Sequence, residues 1–285
     1  MGIIYGLTAA ICWGIGDFLI TQVARQIGVI QTLFYGQFLG LLAIVVLVII
    51  QSHTPHSHTS AWALAVGIAL INFIGTILLY RAFEIGTLAV VAPIEAGFGV
   101  VSALLALLSG ERPVAIVLIG ALVLIGGVVI VSRTQHGDVL TNYQQTKLRL
   151  AGIPESIGVA LCFGVSFWAI NFVTPSLGVL WPIVMNRGVA FAGALLLLSR
   201  RGASPIALPR PTLLFAVGAA VVDTLAFVTF NLGINTTYIS VVAALGSLFS
   251  AVTVLLAWFF LHERLSPGQW VGVGAILMGV LLVSM

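Results

Sequence analysis

Four ionisable residues stand inside long apolar stretches of the sequence: Asp17, Glu95, Arg187 and Asp223. A charge in a hydrocarbon environment costs about 2.5–3.5 kcal/mol on insertion scales, so such residues usually pair with each other or serve a function. Burial favours the neutral form of a carboxyl group, and an acid held in this way can carry a proton. Glu95 and Asp17 are therefore our candidates for proton coupling. Three acids against one base favour a cationic or zwitterionic ligand over an anion.

Each of these residues also has a structural interpretation, which the sequence leaves open. Asp17 can bond to a neighbouring backbone near the end of its apolar stretch. Glu95 follows Pro93, whose missing N–H leaves a carbonyl group unpaired nearby, and a protonated Glu95 can donate to that carbonyl. Arg187 and Asp223 can form a structural ion pair between neighbouring helices.

Helical spacing brings polar and aromatic side chains to the same faces as the acids. Asp223, Phe227 and Asn231 follow one another at intervals of four residues, the spacing of neighbours on a helix. Small-molecule sites usually combine aromatic walls with a few polar groups. The residues predicted to bind a ligand are Trp13, Asp17, Asn72, Thr76, Glu95, Trp168, Asn171, Asp223, Phe227 and Asn231. The asparagines can equally be hydrogen-bonding residues between helices, and Trp13 and Trp168 can be packing residues.

The composition indicates which solvent surrounds the elements that position these residues. Of 285 residues, 60% are hydrophobic and 7% are charged, whereas soluble domains carry about 25% charged residues. The solvent must therefore be lipid. We predict an all-α polytopic membrane protein, because only helices satisfy their backbone groups along an isolated span. The net charge of +3 comes from basic residues scattered among loops, so we expect no nucleic-acid partner.

A helix needs about 20 apolar residues to cross a membrane, and the sequence contains ten such stretches. The predicted spans 1 to 10 cover roughly residues 2–23, 29–50, 61–81, 86–108, 113–132, 153–173, 179–199, 211–232, 236–260 and 267–284. Most connectors are short, and the longest runs from Arg133 to Leu150. We interpret this connector as a hinge.

The chain contains two copies of one unit. Residues 263–284, aligned with residues 111–132, share seven identities in 22 positions. At an offset of 150 residues, seven positions near the start of each half also match, namely Ala10, Cys12, Gly14, Ile20, Val23, Gly28 and Val29. A period of half the chain indicates two repeats. We predict a first repeat over 1–135, a linker over 136–150 and a second repeat over 151–285.

Five helices per repeat would place the second copy in the membrane upside down. Inverted repeats are a recurring transporter architecture, with a binding site near the midplane between the copies. None of the four embedded charges has a charged counterpart in the other copy. The equivalent pairs are Asp17 with Phe167, Glu95 with Leu245, Asp223 with Phe73, and Arg187 with Gln37. Function should therefore lie in these departures from symmetry.

Loop charges predict the orientation, because cytoplasmic loops carry an excess of Lys and Arg. One side has nine basic residues, Arg25, Arg81, Arg133, Lys147, Arg149, Arg200, Arg201, Arg210 and Arg264, and the other has only Arg112. This count places the linker in the cytoplasm and both termini outside.

Neither a metal nor a cofactor is expected. His53, His56 and His58 lie in one polar loop and could bind Zn²⁺, but neither carboxylates nor cysteines accompany them. We favour a flexible polar loop. Cys12 and Cys162 lie in apolar stretches without metal-ligand spacing, so we predict small packing residues rather than a disulfide.

The sequence resembles a known transporter family across both halves. The motifs are Trp13-Gly14-Ile15-Gly16-Asp17-Phe18, Tyr80-Arg81-Ala82, Ala92-Pro93 and Gly110-Glu111-Arg112, followed by Phe260-Leu261-His262-Glu263-Arg264 and Gly268-Gln269-Trp270. They resemble the bacterial EamA-type transporters of the drug/metabolite transporter superfamily. The resemblance implies a ten-helix carrier of small organic metabolites, often an exporter, in a bacterial inner membrane. It also implies that the first, third and fourth helices of each copy line a central cavity. Many relatives have both termini in the cytoplasm, against the charge count.

We therefore predict a secondary active transporter that exports a small organic metabolite or drug-like molecule by alternating access and is not an enzyme. Its partners would be the solute and membrane lipids; a monomer suffices, and a dimer stays open. Two alternatives remain. A lipid-modifying membrane enzyme would need a catalytic set at the membrane edge, where His262-Glu263 is the only candidate and its counterpart is Gly110-Glu111. A membrane receptor would bind a solute without moving it.

Overall fold

The computed structural model describes residues 1–51, 55, 59–110, 151–262 and 267–284, together with eight positions between 116 and 130 (116, 119, 120, 122, 123, 126, 127 and 130). The described residues form helices joined by short turns. The predicted linker, the three histidines of the polar loop and Glu263 lie outside this part of the chain.

Eleven α-helices are described, and a π-helical turn, Ala257–Leu261, follows the tenth. They are α1 (Gly2–Gln51), α2 (Thr59–Ile85), α3 (Leu88–Glu95), α4 (Phe98–Leu108), α5 (Ile153–Ile170), α6 (Thr174–Leu177), α7 (Trp181–Arg200), α8 (Arg210–Ile234), α9 (Ile239–Gly246), α10 (Phe249–Leu256) and α11 (Pro267–Ser284). The chain is thus all-helical where it is described, as the composition predicted.

Six described segments are long and apolar enough to cross a membrane: Gly2–Gln51, Thr59–Ile85, Leu88–Leu108, Ile153–Ile170, Trp181–Arg200 and Arg210–Ile234. Shorter apolar helices occupy Phe249–Leu261 and Trp270–Gly279. Residues on the outside are also apolar, and Leu108, Leu214 and Val271 are among the most exposed. The chain is therefore a multi-pass membrane protein, and the count of ten spans stays a prediction.

α1 contains the first two predicted spans and is interrupted at a single residue. Its 50 residues would extend for about 75 Å as a straight helix, more than twice the hydrocarbon thickness of a bilayer. Gly28 interrupts it with φ 75° and ψ 168°, a conformation that a side chain would strain. The break separates a first arm, residues 2–27, from a second arm, residues 29–51.

The second copy repeats this device. Gly178 lies between α6 and α7 with φ 73° and ψ −174°, nearly the values at Gly28, its counterpart 150 residues earlier. In both copies, a glycine with positive φ thus precedes the second long helix. The sequence match at this position has a backbone reason.

Two of the predicted spans are broken helices. Residues 86–108 form α3 and α4, and residues 236–260 form α9, α10 and the π-helical turn. The breaks correspond: Gly97 N–H donates to Ile94 O at 3.0 Å, and Leu248 N–H donates to Leu245 O at 3.1 Å. Both bonds join residues three apart, as in a 3₁₀-helix, whereas the bonds of an α-helix join residues four apart. Hydropathy treats each region as one span because the breaks contain no charged residue.

The broken helix of each copy packs against the first helix of the other copy. A Cβ atom at Gly14 would collide with Val252, and one at Gly164 would collide with Val101. At the same crossings, Thr253 Oγ1 donates to Gly14 O at 3.4 Å, and Ser102 Oγ donates to Gly164 O at 2.8 Å. These two crossings are equivalent under the repeat. Each copy therefore packs its first helix against the broken helix of the other copy, and the core lies between the two copies.

Candidate functional site

A cavity lies between the two copies, near the middles of the long helices. Its volume is about 70 Å³, several times the roughly 10–15 Å³ that one water molecule needs. Its polar lining residues are Asp17, Gln37, Asn72, Thr76, Tyr80, Glu95, Asn186, Arg187 and Asp223. Its aromatic lining residues are Trp13, Phe98, Phe163, Phe167, Phe227 and Phe249, in addition to Tyr80. We call it the central cavity.

The structure brings seven of the ten predicted ligand-binding residues to this cavity: Trp13, Asp17, Asn72, Thr76, Glu95, Asp223 and Phe227. They come from the first arm of α1 and from α2, α3 and α8. Their ligand-binding role stays a prediction, but the sequence placed them together for the right physical reason. Polar groups inside lipid-spanning helices turn toward each other because lipid offers them no partner.

The other three predicted residues lie outside the cavity lining. Trp168 Nε1 donates to Ser109 Oγ at 3.0 Å, Asn231 Nδ2 donates to Val179 O at 2.9 Å, and Asn171 is the residue after the end of α5. Asn231 is eight residues beyond Asp223, and at 3.6 residues per turn it is rotated by about 80° from it. Asn231 thus links α8 to the turn that precedes α7, and its ligand-binding role stays a prediction.

Asp17 and Glu95 form a pair of carboxyl groups in one wall of the cavity. Both are buried, with 8% and 3% of their surface exposed, and their side chains lie close enough to interact with each other. A hydrogen bond between two carboxyl groups requires a proton on one of them, because ionised carboxylates only accept. We call these two residues the carboxyl pair. A proton on either residue would let their side chains form a hydrogen bond.

Two further observations show that the oxygens of the carboxyl pair can accept more hydrogen bonds than they do here. Thr253 Oγ1 lies 3.5 Å from Asp17 Oδ2, at the outer limit of a hydrogen bond. Glu95 Oε2 is buried and has no hydrogen-bond partner among the described residues. Glu95 ends α3, and the helix break follows at Ala96 and Gly97. An acceptor oxygen is therefore available at the cavity wall.

Arg187 and Asp223 are a second pair of charged residues in the cavity lining. Arg187 Nη2 forms an ion pair with Asp223 Oδ2, and Arg187 Nη1 donates to Gln37 Oε1 at 3.1 Å. The guanidinium carbon lies 5.3 Å from the centre of the Phe227 ring, within the range of a cation–π interaction. The positive charge of Arg187 is therefore compensated within the protein.

The contact between Arg187 and Gln37 also locates the symmetry axis. These residues occupy equivalent positions in the two copies, 150 residues apart, and they touch each other. Phe98 and Phe249, which occupy equivalent positions at the helix breaks, stack with centroids 6.1 Å apart and planes 18° apart. Equivalent residues meet only near the axis that relates the copies. The central cavity therefore lies on this axis.

Glycine gives Arg187 the room it occupies. A Cβ atom at Gly40 would lie 2.9 Å from Arg187 Nε and 3.1 Å from its Cζ. The guanidinium has little freedom to move aside, because Asp223 and Gln37 hold its other nitrogens. The second arm of α1 thus brings its backbone, rather than a side chain, against the cation.

Trp13 forms the centre of the aromatic wall. Its ring lies within 5.3–6.1 Å of the rings of Phe98, Phe167, Phe227 and Phe230. These distances are typical of favourable aromatic pairs. The wall surrounds the polar groups with rigid apolar surface, so a bound solute would be desolvated on most of its faces.

Sequence reasoning missed several lining residues. Tyr80 is four residues after Thr76 on α2 and lines the cavity, so its helical spacing could have revealed it. Phe163 and Phe167 are also four residues apart on α5 and line the cavity. Asn186 is an amide next to Arg187 inside a predicted span. It could have been predicted on the same ground as the other asparagines inside spans.

The structure describes no group of three or more His, Cys, Asp or Glu residues that could hold a metal ion. Cys12 is a buried free thiol and Cys162 is a partly buried one. His262, half of the candidate pair at the membrane edge, is exposed.

Comparisons with known proteins agree with this architecture. The model of the EamA-like transporter family matches residues 1–133 and 151–285, one match in each copy. A crystal structure of a protein that is 16% identical in sequence matches with a TM-score of 0.71 over 99% of this chain and 97% of that chain. This likeness concerns the fold alone. No curated protein matches the chain.

Proposed function

The chain belongs to the EamA-like transporter family, and we propose that it exports a small organic cation or zwitterion by alternating access, in exchange for protons. The sequence features that resemble bacterial EamA-type transporters support a bacterial inner membrane as its location. They also support export, the direction common among those transporters.

The charge of the central cavity carries this proposal. Arg187 is paired with Asp223, so these two residues contribute no net charge. The carboxyl pair is then the remaining charged group in the lining. Two carboxylates in contact cannot both ionise readily, so one shared proton leaves one negative charge. An anion would meet this charge without a free basic residue in the described lining, whereas a cation would be attracted to it.

The same charge balance suggests how a proton and a solute exchange. A cation that binds the carboxyl pair replaces the shared proton, because the two compete for the same oxygens. Release of the cation allows the proton to return. The free Glu95 Oε2 is a suitable first contact for an ammonium group, which donates up to three hydrogen bonds. The aromatic wall around Trp13 favours a cation as well.

Transport by the purified protein in liposomes, with an imposed pH gradient, tests this proposal. We expect Glu95→Gln and Asp17→Asn each to remove the dependence of flux on the pH gradient, because each amide replacement leaves one carboxyl group without a partner that shares its proton. Glu84→Gln is the matched control. Glu84 is an acid in an ion pair with Arg81 on an exposed part of α2, and its variant should keep full coupling.

Two results would contradict the proposal. Full dependence on the pH gradient in both Glu95→Gln and Asp17→Asn would show that protons are not carried by this pair. Faster flux of organic anions than of cations of equal size in the unmodified protein would contradict the charge selectivity.

A further inference from the structure

A small side pocket opens from the central cavity between α2, α5 and α7. It shares Asn72, Phe167, Asn186 and Phe227 with the cavity lining, so the two spaces adjoin. Its remaining lining is Ala65, Ile68, Ala69, Ser166, Ile170, Val173, Pro182 and Ile183. The polar residues of the side pocket are thus Asn72, Ser166 and Asn186, within an aliphatic wall.

Two polar atoms of the side pocket lack partners. Ser166 Oγ and Asn186 Oδ1 are buried and make no hydrogen bond to any described residue. Other buried serines do not behave in this way: Ser156 Oγ donates to Gly152 O at 2.6 Å, and Ser247 Oγ donates to Ala243 O at 2.8 Å. Buried polar atoms without partners are rare in proteins, and each requires an explanation. Here the unpaired atoms line one small space.

The size of the side pocket sets what can satisfy these atoms. Its volume is about 20 Å³, and one water molecule needs roughly 10–15 Å³. One small polar group therefore fits. It must donate a hydrogen bond to Asn186 Oδ1, and it can donate to or accept from the hydroxyl of Ser166.

The charge of this group follows from the lining. The residues that line the side pocket include no charged side chain, and a charged group buried without a partner is strongly disfavoured. A hydroxyl group or a primary amide is neutral and both donates and accepts. Methyl and methylene groups would fit the aliphatic wall but would leave Ser166 and Asn186 unpaired.

We propose that the side pocket binds a neutral hydroxyl or primary amide group of the transported cation, so that the solute is an amino alcohol or an amino amide. This inference rests on the proposed function, in which the ammonium group binds the carboxyl pair. The carboxyl pair selects the charged end of the solute, and the side pocket selects its neutral polar end. The sequence pattern pointed to Asn72 but to neither Ser166 nor Asn186.

Matched ligands test the inference on the full-length protein in lipid nanodiscs. Affinities for 3-aminopropan-1-ol and n-butylamine are measured by calorimetry, since these amines have the same number of non-hydrogen atoms and differ in the terminal hydroxyl. We expect the amino alcohol to bind about tenfold more tightly, the factor that one or two net hydrogen bonds supply. Ser166→Ala and Asn186→Leu should each reduce this preference to about threefold or less, and Ser166→Ala should do so without weakening n-butylamine, because Ser166 lines only the side pocket. Ser156→Ala, the same change on the same helix outside the pocket, should keep the preference.

The outcomes separate the side pocket from the proposed function. Equal affinity for both amines in the unmodified protein, or a preference that survives in both variants, would overturn the side-pocket inference and leave the cation selectivity intact. If neither amine binds, the cation selectivity fails. A neutral pair of equal size, propanamide and butan-2-one, then decides: a preference for propanamide that Ser166→Ala removes supports the side pocket, and its absence overturns it.

Discussion

Arg187 is held by three kinds of contact, and each involves a different neighbour. Asp223 supplies the opposite charge, Gln37 accepts a hydrogen bond and Phe227 supplies an aromatic ring. The Arg187 side chain is 4% exposed and that of Asp223 is 29% exposed. The arginine is therefore enclosed by protein, while the aspartate has access to the cavity. Loss of the arginine should cost more than loss of both charges together.

The first prediction follows from this asymmetry. Arg187→Gln leaves the Asp223 carboxylate unpaired in an apolar region and should lower the free energy of unfolding by about 3 kcal/mol, the lower end for a broken buried pair because Asp223 is partly exposed. The double variant Arg187→Gln with Asp223→Asn should recover at least half of this loss. Thermal unfolding of both variants in detergent micelles measures the difference. Equal destabilisation of the single and double variants would contradict a pairing role.

The charged residues of the site were accessible to sequence reasoning, while their detailed neighbours were not. Asp17, Glu95 and Asp223 are conspicuous because charge is costly in lipid, and all three line the cavity. Ser166 and Asn186 carry no charge, and serine is common in apolar helices for other reasons. Their importance comes from missing hydrogen bonds, which only coordinates reveal.

At the scale of helices, two glycines at equivalent positions permit close contacts between the copies. Gly14 on α1 lies against Val252 and Phe249 O, and Gly164 on α5 lies against Val101 and Phe98 O. Small residues let helix backbones approach in lipid, where packing replaces the hydrophobic effect as the driving force. Regular helical geometry continues through Gly14, since Gly28 is the non-helical position within α1. We therefore assign close packing, rather than bending, to Gly14.

The second prediction is that these two contacts are energetically equivalent. Gly14→Ala and Gly164→Ala should each lower thermal stability to a similar degree, because each added methyl group collides with a valine on a facing helix. Val252→Ala should not rescue Gly14→Ala, and Val101→Ala should not rescue Gly164→Ala, because the atom that the added Cβ meets most closely at each crossing is the valine Cβ, which alanine keeps. Gly67→Ala is the control, since no atom lies within 4 Å of its added Cβ. Unequal effects of the two glycine substitutions would contradict the structural equivalence of the copies.

Helix existence was predictable at this scale, and helix interruption was not. The apolar stretches predicted which parts of the chain form helices. The helix breaks after Glu95 and after Gly246 do not lower the hydropathy of the sequence around them, so hydropathy does not reveal them. The break at Glu95 matters for the site, because it ends α3 at the acid that borders the cavity. Gly28 and Gly178 were found as a sequence match, and their backbone angles explain why glycine occupies both positions.

For the whole molecule, the repeat supplies a symmetric frame and the cavity supplies an asymmetric lining. Gln37 and Arg187 meet at the axis as equivalent positions with different charge. Asp17 corresponds to Phe167, and both residues line the cavity, one in the polar wall and one in the aromatic wall. One copy thus contributes the carboxyl pair and the other contributes the arginine and its aspartate. The two copies therefore share their helix packing and differ at a few positions near the axis, and these differences give the cavity its charged residues.

The third prediction concerns the orientation of this frame in the membrane. Ser176, in α6, and Ser204, between α7 and α8, are both exposed and lie at opposite ends of α7. Loop charges predict that the end with Arg200, Arg201 and Ser204 is cytoplasmic.

In a background with Cys12 and Cys162 changed to serine, we introduce Ser176→Cys and Ser204→Cys separately. A membrane-impermeant maleimide should label Ser176→Cys in intact cells and should label Ser204→Cys only after permeabilisation. The reverse pattern would contradict the predicted orientation and place both termini in the cytoplasm, while labelling of both positions in intact cells would contradict a membrane-spanning α7.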